Sequence, residues 1–276
     1  MSAEGSQVPP QEPQEPQEPR LQSVFLEVTG RVAELVIDRP PLNILDLATL
    51  DELGASLVEL SARQDLQMVI VRGGGMRAFC AGVSIEDHTP DKIGAMLGGF
   101  HDALRRLFAL DCLTVAAVDG HCLGGGMELA ATCDLVIATE RSTFGQPEIE
   151  LGCFPPVAAA LYPRLLGDGV ALDLLATGRK MSCEEAERRG FVTRRLVDET
   201  LEQGLRRLKS EITSKSTAAL RLTKKAVRAG SARPELFESA LAETERLYIE
   251  ELATCEDLAE GVAAFLEKRP PEWRHA

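Results

Sequence analysis

Three consecutive glycines, Gly124 to Gly126, follow a short apolar run at residues 115–118 and a break at Asp119-Gly120, and lead into residues 127–133, which read as an amphipathic helix. Glycine costs conformational entropy and returns no side-chain packing, so three in a row at a strand-to-helix junction point to a backbone that must come close to something. The amides of such a junction are bare, and the start of a helix directs them at whatever fills the space. Glu128 falls in the first turn of that helix, and Glu148 comes twenty residues later in Phe144-Gly145-Gln146-Pro147-Glu148, beyond another short strand at residues 134–138. Taken singly, a glutamate near a helix start is more often capping or solvated. Together, bracketing a nest of free N–H groups, the two suit proton transfer to and from a substrate whose carbonyl oxygen gathers negative charge.

The flanking sequence alternates short buried strands with helices, which argues for an α/β class. Residues 25–28 and 32–38 read as strands joined through Thr29-Gly30-Arg31, and Arg39-Pro40-Pro41 stops the second. A helix begins at Asp46, with Leu50, Leu53, Leu57 and Leu60 on one face. Residues 67–72 are too continuously apolar for a half-exposed strand, so they are expected to be covered on both faces. After the glutamates the chain turns helical, with apolar stripes at residues 172–176, 183–189, 201–212, 217–227, 235–252 and 255–266, and a helix start at Ser182 with Glu184 and Glu185. Periodicity alone does not separate a doubly wound sheet from a spiral of strand-strand-helix units. Residues 1–20, where Gln-Glu-Pro recurs three times, carry no core and are expected to be a disordered or extended tail.

Composition excludes several function classes. A formal net charge of −13 leaves no basic face for nucleic acid, and no apolar run approaches a membrane span. The first residues lack the layout of a secretory signal, so a cytoplasmic protein is expected. Seven scattered cysteines without a Cys-x-x-Cys pair argue against a disulfide framework and against zinc, and read as buried small hydrophobes. Leu123-Gly-Gly-Gly-Met lacks the spacing of a dinucleotide fingerprint and the Gly-Lys-Ser/Thr ending of a P-loop. No Ser-His-Asp or Cys-His arrangement has the context of a nucleophile. His121, just before the glycines, is read as structural.

Five segments, Arg39-Pro-Pro-Leu-Asn43, Phe79-Cys-Ala-Gly-Val-Ser-Ile85, Gly120-His-Cys-Leu-Gly-Gly-Gly-Met-Glu128, Phe144-Gly-Gln-Pro-Glu-Ile-Glu-Leu-Gly152 and Leu175-Ala-Thr-Gly-Arg-Lys-Met-Ser182, resemble those of the enoyl-CoA hydratase/isomerase (crotonase) superfamily, in the family's order. The resemblance spans roughly residues 22–270. Within the superfamily it is nearest to hydratases of cyclic dienoyl-CoA thioesters, on Val83-Ser-Ile-Glu-Asp-His-Thr-Pro-Asp91, Cys153-Phe-Pro-Pro-Val157, and Leu247-Tyr-Ile-Glu-Glu-Leu252 with Phe265-Leu-Glu-Lys-Arg269. It implies a crotonase fold, a ClpP/crotonase-like spiral of ββα units over residues 21–200, with a helical region from 201 to 276 that builds a homotrimer or homohexamer.

For the site, the resemblance implies that the Val83 and Gly125 N–H groups form an oxyanion hole and that Glu128 and Glu148 hold the reacting water. It also implies that backbone from Val83 through Ser84 and Ile85 to Glu86 meets the coenzyme A arm, and that Lys268 and Arg269 reach the phosphates across a subunit boundary, against the unfavourable overall charge. His88, Phe154 and Pro156 become acyl-pocket candidates. Ser84 is a good N-cap type for a helix carrying Glu86 and Asp87 in its first turn. Pro156 stands where the family carries the first glycine of a Gly-rich loop; proline has no N–H, so any water contact through that amide is lost and the pocket should be stiffer and more apolar. The expected reaction is hydration of an α,β-unsaturated, cyclic dienoyl acyl-CoA, coenzyme A being part of the substrate and no further cofactor being needed. A general enoyl-CoA hydratase, a double-bond isomerase and a non-catalytic acyl-CoA-binding protein are the alternatives.

Overall fold

The computed structural model describes residues 22–75, 77–231 and 233–273. The expected tail at residues 1–20 lies outside them. In chain order the elements are β1 (Val24–Thr29), β2 (Val32–Ile37), α1 (Leu47–Ser61), β3 (Met68–Gly73), β4 (Ala78–Cys80), α2 (Ile93–Ala109), β5 (Leu113–Val118), β6 (His121–Leu123), α3 (Gly125–Thr132), β7 (Leu135–Thr139) and β8 (Thr143–Gly145). Then follow α4 (Pro156–Leu166), α5 (Asp168–Thr177), β9 (Lys180–Ser182), α6 (Cys183–Arg188), β10 (Arg194–Leu196), α7 (Leu201–Thr213), α8 (Thr217–Ser231), α9 (Arg233–Arg246) and α10 (Glu256–Glu267).

The strands sort into two sheets. One has six strands in the order β1-β2-β3-β5-β7-β10, the other four in the order β4-β6-β8-β9. The chain visits the large sheet, then the small one, then a helix, three times over, which is the spiral of strand-strand-helix units. Only the β1–β2 hairpin is antiparallel in the large sheet; β2, β3, β5, β7 and β10 run parallel. Parallel strands need cover on both faces, and β3 shows why its sequence is so continuously apolar: Val69 and Val71 enter the main core, while Met68 and Ile70 face a second cluster sealed by Leu205 and Leu208 of α7.

Local signals work where they were expected. Asp46 caps α1 by accepting from the Thr49 N–H at 2.9 Å, and Leu50, Leu53, Leu57 and Leu60 are buried. Ser182 caps α6 through the Glu185 N–H at 3.1 Å. Six of the seven cysteines are buried thiols, Cys255 being half-buried. Among the described residues no helix is long and apolar enough to cross a membrane.

Three local expectations are corrected. Residues 127–133 do not form an amphipathic helix: all eight residues of α3 are buried, because it passes between the small sheet and α4 with no face left for water. Ser84 holds the N-cap position of a single 3₁₀ turn, Ile85–Asp87, but makes no side-chain cap bond, and the next helix starts only at Ile93. The stretch 235–252 is not one helix either. After Arg246 it widens into a π turn, Leu247–Glu251, and tightens into a 3₁₀ turn, Leu252–Thr254.

The small sheet positions the site. Its strands β4, β6 and β8 are parallel and nearly in step, His121 lying opposite Ala78 and Thr143, and Leu123 opposite Gly145. Their carboxyl ends therefore release the loops at Val83, Gly125 and Glu148 on one side, where ligands of parallel sheets gather.

Candidate active site

Val83 owes its free amide to a neighbour. Leu45 forms a parallel bridge with it, in which the Leu45 N–H donates to the Gly82 carbonyl and the Ser84 N–H donates to the Leu45 carbonyl, both at 2.9 Å. Those bonds use the groups on either side of Val83 and leave its own N–H pointing the other way, because successive amides of an extended segment alternate direction. Gly125 is the first residue of α3, and a first-turn N–H has no partner within its own helix. No backbone carbonyl of the described residues takes either N–H. Both residues line one cavity of about 410 Å³, together with Glu128 and Glu148.

The three glycines have separate reasons. Gly124 has φ +52° and ψ −131°, outside the reach of L side chains, and a Cβ there would stand 2.6 Å from Glu148 Oε1. A Cβ on Gly125 would meet Val83 Cγ2 at 2.8 Å, and one on Gly126 would meet the Cys80 carbonyl oxygen at 2.1 Å. Two strand-end loops are thus held at backbone contact distance.

Glu128 is 3% exposed, and its Oε1 accepts from the Ala158 N–H at 2.8 Å, with the Val157 N–H adding to the same effect. Those donors are the first-turn amides of α4, so a helix N-terminus faces the carboxylate. Pro156 is the first residue of that helix. Its missing N–H is one that no helix could have used internally, so the proline does not stiffen a loop; it starts the helix whose next amides hold Glu128, and its carbonyl accepts from the Thr244 hydroxyl at 2.9 Å.

Glu148 sits in the 3₁₀ turn Pro147–Leu151. The orientation of the Gln146 amide that satisfies its neighbours has Nε2 donating to the two Glu148 oxygens at 3.0 and 3.2 Å and to the Gly124 carbonyl at 3.3 Å, while its oxygen accepts from the Tyr162 hydroxyl at 2.5 Å. Gln146 and Tyr162, both fully buried, therefore orient one carboxylate. Neither was expected from the sequence.

Burial raises both carboxyl pKa values, and for Glu148 the charge of Glu128 raises it further. The second ionisation is opposed by the first, so the pair keeps one proton over a pH range in which isolated glutamates would have lost both. One carboxylate to accept a proton and one carboxylic acid to give one is the combination that adding water across a polarised double bond requires.

The same shifts carry a stability consequence. A carboxyl whose folded pKa lies above its unfolded value binds more protons in the native state, so stability falls as pH rises from the ordinary carboxylate range through the folded pKa. Glu148→Gln removes that loss. The variant is expected to melt higher than the wild type at pH 8, by a few degrees, since a 1 kcal/mol change moves the midpoint by ~2–4 °C in a chain of this size. At pH 5 the difference should shrink, as paired melting curves at the two pH values would show.

Of the other expected residues, Ser84, Ile85, Glu86, His88, Phe154 and Pro156 all line the cavity. His88 Nδ1 is 2.9 Å from the Ser84 carbonyl oxygen, and burial lowers its pKa. Lys268 and Arg269 do not line this cavity. Arg269 donates to Glu260 at 2.9 Å and to Glu267 at 2.6 Å within its own chain. The end of α10 contributes Phe265 and Leu266 to the cavity instead.

Residues 27–276 match the family description for enoyl-CoA hydratase/isomerase. The chain belongs to the enoyl-CoA hydratase/isomerase family. It is 36% identical over 261 residues to a probable enoyl-CoA hydratase of Mycobacterium bovis, covering 92% of this chain and 98% of that protein. It is 35% identical over 252 residues to the cyclohexa-1,5-dienecarbonyl-CoA hydratase of Thauera aromatica, covering 91% and 96%. Among solved structures, the carnitinyl-CoA hydratase of Mycobacterium avium superposes with a TM-score of 0.78 at 29% identity, over 93% of this chain and 100% of that one. The fold is the crotonase fold of these family members, as expected.

Proposed function

We propose that the chain is a hydro-lyase that adds water to an α,β-unsaturated acyl-CoA thioester. The observation that carries the reading is the convergence, on one cavity, of two unspent backbone donors and two carboxyls that together retain a proton. The thioester oxygen would accept from the Val83 and Gly125 N–H groups as charge flows onto it. The ionised member of the glutamate pair takes a proton from water attacking the β-carbon; the protonated member delivers one to the α-carbon. The product is the β-hydroxyacyl thioester, and the pair ends with its proton count unchanged.

The narrower reading is a cyclic dienoyl acyl group. It is supported by the Thauera aromatica relative and by the Phe154-Pro155-Pro156 wall with Tyr248 edge-on to Phe154, ring centroids 5.4 Å apart, a flat apolar boundary that suits a ring. Assembly as a homotrimer or homohexamer through the α7–α10 region belongs to the same proposal. It is supported by exposed apolar side chains on α8, Leu222 and Val227, both 66% exposed.

The test compares crotonyl-CoA with cyclohexa-1,5-diene-1-carbonyl-CoA, following loss of the conjugated absorbance. Both are expected to lose it, with kcat/KM for the cyclic ester about tenfold the larger, a difference of about 1.4 kcal/mol in transition-state binding. Absorbance unchanged with either ester, at enzyme concentrations comparable to substrate, would refute hydration. Equal or reversed preference would refute the cyclic reading alone.

A further inference from the structure

Helix α4 reaches both carboxyls of the site, one directly and one through a relay. Its first-turn amides at Val157 and Ala158 hold Glu128. Tyr162 follows one turn after Ala158, on the same face of the helix, and its hydroxyl meets the Gln146 side chain, which in turn meets Glu148. Tyr162 and Gln146 are both 0% exposed, and neither lines the cavity. Whatever they do for the reaction they do at one remove.

A primary amide donates from one side and accepts on the other, so the two orientations of Gln146 are not equivalent. With Nε2 toward the site it donates to the Glu148 oxygens at 3.0 and 3.2 Å and to the Gly124 carbonyl at 3.3 Å, while Oε1 accepts the Tyr162 proton at 2.5 Å. Turned over, the amide would set Oε1 against those three oxygens and leave the Tyr162 proton with no acceptor among the described residues.

Protonation of Glu148 changes the balance, because a carboxylic acid can donate. An amide free to turn would then present Oε1 and draw the acid proton into a hydrogen bond away from the substrate. The buried Tyr162 hydroxyl opposes that turn, since its own proton would lose its acceptor in the core.

We infer that Tyr162 is a positioning residue for hydration: by donating to Gln146 Oε1 it keeps the amide N–H groups toward Glu148 in both protonation states. Held so, Gln146 stabilises the carboxylate form of Glu148 and offers no acceptor to the acid form, whose proton stays available to the substrate. Glu148 passes through both forms during the proposed reaction, so both effects serve it. The same amide bonds the Gly124 carbonyl, and the trans peptide of that carbonyl carries the Gly125 N–H on its opposite side. The relay thereby steadies one oxyanion donor as well. The inference rests on the hydration reading above and adds to it a residue that never touches substrate.

Hydration of crotonyl-CoA would be followed for the wild type, Tyr162→Phe, Gln146→Leu and the double variant, beside calorimetry with butanoyl-CoA, which cannot be hydrated. Gln146→Leu is expected to lower kcat about a hundredfold and Tyr162→Phe about tenfold, the scale of a hydrogen bond to a charged group and of its support. Affinity for butanoyl-CoA should stay within about threefold of the wild type throughout. Because Tyr162 acts through Gln146, the double variant should match Gln146→Leu instead of falling to the product of the two losses. It also replaces both buried partners by apolar groups, which favours folding where a single deletion strands one of them. A Tyr162→Phe enzyme with kcat within about twofold of the wild type, a double variant that shows the product of the losses, or an equal loss of butanoyl-CoA affinity would overturn the inference and leave hydration standing. A wild type that hydrates neither crotonyl-CoA nor the cyclic ester would overturn both.

Discussion

Glu148→Gln should lower kcat for hydration by about a thousandfold, within the range that general acid–base groups contribute, while the affinity for a saturated acyl-CoA stays within about threefold. Gln keeps the shape and can still hydrogen-bond to Gln146, but it neither releases nor accepts a proton at the reacting carbon. The affinity expectation follows from the proposed binding mode, in which the coenzyme A arm would meet backbone near Ser84 and Glu86 and the thioester oxygen would meet the Val83 and Gly125 amides, groups other than the substituted carboxyl that line the same cavity. Single-turnover kinetics beside calorimetry on the same preparation would separate the two effects. Turnover unchanged within tenfold would remove Glu148 from the chemistry. A parallel loss of affinity would mean that the residue holds the fold of the loop rather than the proton.

Gly125→Ala is expected to lower kcat by about 10²–10³-fold, the range measured for loss of one oxyanion donor. The added methyl would stand 2.8 Å from Val83 Cγ2, 3.1 Å from Phe100 Cζ and 3.4 Å from the Val83 nitrogen itself. The two loops must spread to admit it, and two donors aimed at one oxygen do not tolerate a shift of several tenths of an ångström. The control is Gly98→Ala on the exposed side of α2, where a Cβ meets nothing within 4 Å; alanine is the better helix former there, so activity and stability should hold or improve. Equal activity of the Gly125→Ala enzyme and the control would show that the Gly125 amide does not serve the reaction.

Much of this was legible in the sequence, for reasons that differ by residue. The leucine face of α1, the two-sided burial of β3 and the Ser182 cap follow from local periodicity and local hydrogen bonding, which act over a few residues. The glycine nest was legible because only backbone proximity rewards three glycines in a row, and Glu128 and Glu148 because they bracket it. What stayed hidden depends on distant residues or on irregular backbone. The Ala158 amide that holds Glu128 comes from thirty residues downstream, and Pro155-Pro156 reads as a rigid loop although the second proline opens a helix. The Gln146 and Tyr162 pair is a three-dimensional encounter without a spacing rule. The π turn that presents Tyr248 breaks the very period by which helices are recognised in sequence, and α3 looked amphipathic because nothing local told that both its sides would be covered.

The most direct test of the convergence is a crystal structure of the enzyme with a β-hydroxyacyl-CoA, the product of the proposed reaction. The thioester oxygen should accept from both the Val83 and Gly125 N–H groups at about 3 Å, with the β-hydroxyl within hydrogen-bond reach of Glu128 and Glu148. A thioester oxygen that touches neither amide, or a hydroxyl that lies away from both carboxyls, would contradict it.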